Sequence, residues 1–235
     1  MKVVSVTHQG RVRPTNQDAL LEYPGKHGLF GVADGMGGHN AGDVASRMAS
    51  LLMGRVLEGL APTENALING IELVNKMIFD EQRRDTSLSG MGTTLTVLWE
   101  DADRILLGHV GDSRAYLIRE GKIVQVTQDH SMVGEMLRDG LITEEEAQRH
   151  PYRNVITRAL GAADTVQADV LILDKKPGDV YLICSDGLYE YVSPDLILDT
   201  ILCRSMQDAA DDLLQRALEG GGRDNISLVI AEVTA

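Results

Sequence analysis

Thr94-Leu95-Thr96-Val97-Leu98-Trp99, Arg104-Ile105-Leu106-Leu107-Gly108-His109-Val110, Ala115-Tyr116-Leu117-Ile118-Arg119 and Lys122-Ile123-Val124-Gln125-Val126-Thr127 follow one another with only short breaks. Each run is short, rich in Val, Ile and Leu, and bounded by Gly or Asp, which is the pattern of a strand rather than a helix. Parallel neighbours would need long crossover connections between them, so strands in direct succession point to antiparallel pairing. Residues 116–127 read as a hairpin that turns at Glu120-Gly121.

Outward from this block the same strand signature recurs at residues 3–7 and 29–33 before it, and at 170–173, 179–184 and 226–233 after it. Helical signals cover about residues 41–59, 63–83, 131–138, 143–149, 194–202 and 206–219. In the last of these, Ala209, Ala210, Leu213, Leu214, Ala217 and Leu218 form an i, i+3, i+4 apolar stripe. Thr143 with Glu146 fits a capping box that starts a short helix, and His150-Pro151 stops it. Helices in pairs on either side of a run of strands favour an α+β fold, a β-sandwich with helices outside.

The 235 residues are 43% hydrophobic, enough for one sizeable core, and a single domain over residues 1–235 is expected. No apolar run approaches the roughly 18–20 residues that span a membrane, and the polar His8-Gln9 that follows residues 1–6 argues against a signal peptide. A soluble cytoplasmic protein without a membrane partner is expected. The net charge of -13 and an aromatic content of 4% speak against nucleic acid, which requires cationic surface and stacking platforms. Cys184 and Cys203 have no zinc or disulfide spacing and are expected as reduced, mostly buried thiols.

The aspartates stand at unusual places. Residues 29–33 run into Asp34-Gly35, residues 105–110 into Gly111-Asp112, and residues 181–184 into Ser185-Asp186-Gly187, while Asp18 and Asp224-Asn225 stand just before strands. In antiparallel sheets the end of one strand lies beside the start of its neighbour, so these five aspartates can gather at one edge of the sandwich. Any single Asp-Gly pair is explained by turn chemistry; five at strand termini are not. Such a cluster repels itself unless hard divalent cations compensate it, and Mg²⁺ and Mn²⁺ prefer oxygen ligands.

The ordered set of motifs has a further reading. Residues 13–18 (Arg-Pro-Thr-Asn-Gln-Asp), 32–39 (Val-Ala-Asp-Gly-Met-Gly-Gly-His), 92–94 (Gly-Thr-Thr), 108–114 (Gly-His-Val-Gly-Asp-Ser-Arg), 127–131 (Thr-Gln-Asp-His-Ser), 154–161 (Asn-Val-Ile-Thr-Arg-Ala-Leu-Gly), 184–188 (Cys-Ser-Asp-Gly-Leu) and 222–227 (Gly-Arg-Asp-Asn-Ile-Ser) cover nearly the whole chain. In order and spacing the chain resembles the metal-dependent protein phosphatase family, the protein phosphatase 2C-like enzymes, in its compact bacterial form. The resemblance implies a four-layer α-β-β-α sandwich with a small flap at about residues 131–158. It implies two Mn²⁺ or Mg²⁺ ions, with Asp34 bridging them, the Gly35 carbonyl binding one, and Asp186 and Asp224 binding the other. Asp112, together with Asp186, matches a third and weaker ion site. Asp18 matches a carboxylate that orients water, and Arg13 the arginine that holds the substrate phosphate, to which its planar fork is suited.

The implied activity is hydrolysis of phosphoserine and phosphothreonine in proteins, by direct attack of a metal-bridging hydroxide, reversing a Ser/Thr kinase. Phosphorylated proteins are then the partners, and a monomer acting as a free catalytic unit is expected. The chain departs from the family's pattern in two places: Gln17 stands where Glu is common, and Met36 where many eukaryotic members carry a histidine that is a candidate general acid. His39, three residues on, is the remaining candidate for that role. His8, His27, His109, His130 and His150 read as structural. A phosphoprotein-binding domain without chemistry is disfavoured by the intact set Asp34, Asp186, Asp224 and Arg13, and a nucleotide hydrolase by the lack of a P-loop or stacking pocket.

Overall fold

The computed structural model describes residues 1–37 and 41–234. In chain order the elements are β1 (Lys2–His8), β2 (Asp18–Tyr23), β3 (Leu29–Met36), α1 (Ala41–Leu57), α2 (Glu64–Arg84), β4 (Gly92–Thr93), β5 (Leu95–Glu100), β6 (Arg104–Val110), β7 (Arg114–Arg119), β8 (Lys122–Gln125), α3 (Met132–Arg138), α4 (Glu144–Gln148), β9 (Asp169–Asp174), β10 (Val180–Cys184), α5 (Asp186–Tyr189), α6 (Pro194–Cys203), α7 (Met206–Gly220) and β11 (Ile226–Glu232). One sheet has the order β1-β11-β10-β7-β8 and the other β2-β3-β5-β6-β9, with β4 attached to β3. All pairings between these strands are antiparallel, as the uninterrupted run of strands after residue 94 requires.

The layers follow from which face each side chain takes. Phe30, Val32, Leu98 and Ile105 of one sheet meet Tyr181, Ile183, Val229 and Ala231 of the other. On the outer face of the first sheet, Leu21, Ala33, Val97 and Leu106 pack under α1 and α2, with Ala45, Ala49, Leu67 and Ile71. On the outer face of the second, Leu182, Leu228 and Ile230 pack under α6 and α7, with Ala209, Ala210, Leu213 and Ala217. Strand β11 is therefore apolar on both faces, its residues alternating between the inter-sheet core and the helix layer. Leu213 is wholly buried, and burial of a side chain of this size contributes about 1.5–3 kcal/mol. The outcome is the expected α+β, α-β-β-α sandwich.

Local chemistry matches at several points. The β7–β8 hairpin turns at Glu120 and Gly121 with φ of 53° and 71°, the paired positive values of the tight turn whose twist suits a hairpin. Thr143 and Glu146 form the reciprocal capping box of α4. One expectation needs correction. Cys184 is buried but Cys203 is exposed, because it ends α6 one turn beyond Thr200, the last buried residue of that helix. Asp186, directly after β10, begins α5, a helix of 4 residues too short to leave a periodic signal. Among the described residues no helix is long and apolar enough to cross a membrane.

Candidate metal centre

The site is assembled where the two sheets' strand ends meet. Asp18 opens β2 and lies opposite Asp34 in the register of β2 with β3. Asp186 opens α5 directly after β10, and Asp224 precedes β11, the strand paired with β10. Asp112 stands between β6 and β7, so each sheet supplies carboxylates to one edge.

Asp34 is fixed by its backbone. Its N–H donates to Thr94 Oγ1 at 2.9 Å, and its carbonyl accepts from Thr93 Oγ1 and Thr94 N–H, each at 2.9 Å. Gly35 N–H donates to the Gln17 carbonyl at 3.1 Å. A Cβ on Gly35 would come within 2.1 Å of the Gly42 carbonyl and 2.5 Å of that of Gln17, so only glycine lets α1 and the Gln17 backbone close on this strand. Asp18 is 7% exposed and takes a hydrogen bond from Ser185 Oγ at 2.9 Å, which in turn accepts from Ser227 N–H.

The loop carrying Arg13 is tied to the base of β11 by Asn225. Its Oδ1 accepts from Gln17 N–H at 2.8 Å, and its Nδ2 donates to the carbonyls of Gln9 and Thr15 at 2.8 and 2.9 Å. Arg13 Nη2 then reaches Asp224 Oδ2 at 2.5 Å. Asp112, 7% exposed, is held through its carbonyl by Tyr189 Oη at 3.1 Å. The neighbouring Ser113 is fixed by Thr94 and Thr96.

The electrostatics bind these groups into one site. Burial, followed by the charges of Asp18, Asp186, Asp112 and Asp224, holds the Asp34 carboxyl well above the usual carboxylate range. Burial, then Asp112 and Asp224, does the same to Asp186. Burial raises Asp18 to about 6 and Asp112 to about 7. The hydrogen bond that Arg13 donates to Asp224 raises the guanidinium above its ordinary value. Carboxylates that perturb one another this way share a low-dielectric space and stay protonated unless a cation compensates their charge.

Among the described residues, Asp18 Oδ1 and Asp186 Oδ1 are buried with no hydrogen-bond partner. A buried acceptor without a donor costs free energy, and oxygen-only donors facing one space fit hard divalent ions rather than soft ones. Among the described residues, no three of these side chains already stand around a single point as a cation cage. His39 lies outside the described residues. Asn225, Ser185 and Tyr189 carry positioning roles that sequence reasoning did not assign; their polar side chains beside the aspartates at 186 and 224 are the only trace of them in the sequence.

A family model for protein phosphatase 2C matches residues 7–220. The chain is 38% identical to the serine/threonine phosphatase stp of Listeria monocytogenes, covering 96% of this chain and 93% of that protein. It is 37% identical to the serine/threonine protein phosphatase PstP of Mycobacterium tuberculosis, covering 99% of this chain but spanning only 45% of that protein's length. The crystal structure of a bacterial serine phosphatase superposes with a TM-score of 0.94 at 33% identity, covering 100% of this chain and 98% of that one. The catalytic domain of PstP solved with 2 manganese ions superposes with a TM-score of 0.89 at 35% identity, covering 100% of this chain and 98% of that one. By its matched residues, its relatives and its fold, the chain belongs to the protein phosphatase 2C family of metal-dependent phosphatases.

Proposed function

We propose that the chain hydrolyses phosphoserine and phosphothreonine in proteins, and that Asp34, whose carboxyl is raised by burial and by the charges of the aspartates at 18, 186, 112 and 224, forms with them and Arg13 its active centre. That electrostatic cluster is the observation that carries the reading. Asp34, the Gly35 carbonyl, Asp186 and Asp224 would hold two Mn²⁺ or Mg²⁺ ions, and Asp112 with Asp186 would hold a third and weaker one. When bound, such ions supply Lewis acidity and water of lowered pKa.

The protein's own groups do the rest. Asp18, steadied by Ser185, orients the attacking water and takes its proton as the new bond to phosphorus forms; the bond from phosphorus to the serine or threonine oxygen breaks, and that oxygen leaves with a proton from solvent. Arg13 leaves Asp224 and places its two terminal N–H groups on the phosphate oxygens, where charge spreads in the transition state. Asn225 sets the reach of that arm by pinning its loop at both ends. The substrates are phosphoproteins made by a Ser/Thr kinase, and the enzyme works as a cytoplasmic monomer. Against a phosphoprotein-binding domain without chemistry stand the phosphatase names of the relatives and the presence of every expected ligand.

The test is phosphate release from a phosphothreonine peptide, with and without Mn²⁺, beside Asp186→Asn. Metal-dependent release that the substitution abolishes supports the reading. Silence of the wild type with Mn²⁺, Mg²⁺ and several peptides would overturn it.

A further inference from the structure

His130 lies at the root of the flap and is 1% exposed. Its backbone and its side chain both hold the turn that carries Asp112. His130 N–H donates to the Gly111 carbonyl at 2.8 Å, and Gly111 N–H donates to His130 Nδ1 at 3.1 Å. A backbone N–H can only donate, so Nδ1 presents its lone pair and the ring proton sits on Nε2. Nε2 is 3.1 Å from Asp169 Oδ2, to which it donates; Arg158 Nη1 lies 3.3 Å from the same nitrogen, which then has no lone pair to accept from it, and the guanidinium turns its proton to Asp169 instead. Asp169 opens β9, and its other oxygen accepts from Arg158 Nη1 at 3.1 Å.

The two ends of the flap meet at this residue. Thr157 N–H donates to the His130 carbonyl at 2.8 Å, and Ser131 bridges to Ile156. The imidazole ring rests 4.8 Å from that of His109, itself wholly buried. Gly111 has φ of +110° and a Cβ there would come within 2.6 Å of Thr94, so the turn has little freedom of its own and follows what grips it.

We infer that His130 is a positioning residue for the phosphatase reaction: one ring nitrogen fixes the Gly111–Asp112 turn, and the other, through Asp169, fixes the far root of the flap. The inference rests on the role proposed above for Asp112, and it links that carboxylate to the segment beside it through one neutral side chain. Burial, which lowers the pKa of His130 below its ordinary value, keeps the ring in the neutral form this requires.

The two attachments are separable. In His130→Asn the amide oxygen takes the place of Nδ1, keeping the acceptor for Gly111 and dropping Asp169. In His130→Gln the amide nitrogen takes the place of Nε2, keeping Asp169 and dropping Gly111. With the full chain and Mn²⁺, His130→Gln is expected to lose roughly ten- to hundredfold in kcat on both a phosphothreonine peptide and para-nitrophenyl phosphate, with peptide KM kept. His130→Asn is expected to keep kcat on para-nitrophenyl phosphate, raise peptide KM roughly tenfold, and expose Arg149 and Arg153 to faster tryptic cleavage. Equal losses in the two folded variants, or none in either, would overturn the inference.

Should either variant fail to fold, ¹⁵N-histidine spectra of the wild type decide. A His130 ring protonated on Nε2 alone at pH 7 supports the link; protonation on Nδ1, or an imidazolium, overturns it. A wild type that releases no phosphate from either substrate would sink the reading of the active centre instead, and leaves the spectra to judge the histidine.

Discussion

Arg13 Nη2 stands 2.5 Å from Asp224 Oδ2, so the side chain proposed to hold phosphate is engaged with one proposed to hold metal. The pair is half-exposed, with 50% and 30% of the two side chains open to solvent, and exposed ion pairs are worth only about 0–1 kcal/mol. A partner held this weakly is readily exchanged. Arg13→Ala is therefore expected to lower kcat/KM on a phosphothreonine peptide roughly a hundredfold while Mn²⁺ affinity, read by calorimetry, stays level or rises. A fall in Mn²⁺ affinity would place Arg13 among the groups that build the metal site.

Metal should stabilise the fold as well as activate it. Ions that bind the native state and not the unfolded chain add about 2.7 kcal/mol at a hundredfold excess over Kd. Mn²⁺ is expected to raise Tm, chelation to reverse it, and Asp34→Asn to abolish the rise. A Tm indifferent to Mn²⁺ would argue that the aspartates are held apart rather than bridged.

Asp112 gives a pH dependence of definite sign. Burial and the charge of Asp129 raise its carboxyl from 3.8 to about 7. Between those values the native state keeps a proton that the unfolded chain has released, so this group's contribution to stability falls as pH rises. Asp18, raised to about 6, acts in the same direction, and His109, lowered to about 4 by burial, acts in the opposite one. Comparing wild type with Asp112→Asn cancels the terms of Asp18 and His109, while losing the Asp112 charge also relieves Asp34 and Asp186, which acts in the same direction. In the absence of metal the variant is expected to be more stable by about 2–4 kcal/mol at pH 7.5, the gap closing as pH falls toward 4. Denaturant midpoints across that range measure it, and a gap that widens toward acid would refute the assignment.

Gly35→Ala tests the close approach beneath the centre. With backbone carbonyls 2.1 and 2.5 Å from the new Cβ, neither neighbour can rotate aside, and either β3 or α1 must shift. Overpacking of this kind costs about 1–3 kcal/mol. A lowered Tm together with weakened Mn²⁺ binding is expected. Wild-type values for both would mean that α1 moves freely over β3.

What was legible in the sequence was what local chemistry determines. Runs of Val, Ile and Leu marked β5, β6, β7 and β10, and the Glu120-Gly121 turn marked the pairing of β7 with β8. Aspartates at the ends of such runs pointed to one edge of a sandwich, since antiparallel strands bring ends and starts together. Side-chain roles set by tertiary contact were not legible. Nothing around Asn225 says that its amide will reach back to Gln9 and Thr15. His130 reads as structural, and it is buried, yet its two nitrogens join segments 19 and 39 residues away. Cys203 was misjudged for the same reason: an apolar neighbourhood does not reveal where a helix outruns the layer it covers.

Strand β11 follows every other strand in the chain yet lies inside its sheet, between β1 and β10, with Glu232 opposite both Lys2 and Val180. Among the described residues β1 has no other neighbour in that sheet. As the polypeptide leaves the ribosome, its first strand must wait for its last, and Asp224 and Asn225 arrive only with that closing strand. Translation cut short between β10 and Asp224 therefore leaves the facing edges of β1 and β10 bare and the cluster of aspartates without Asp224. Unpaired strand edges of this kind are what chaperones and proteases act on.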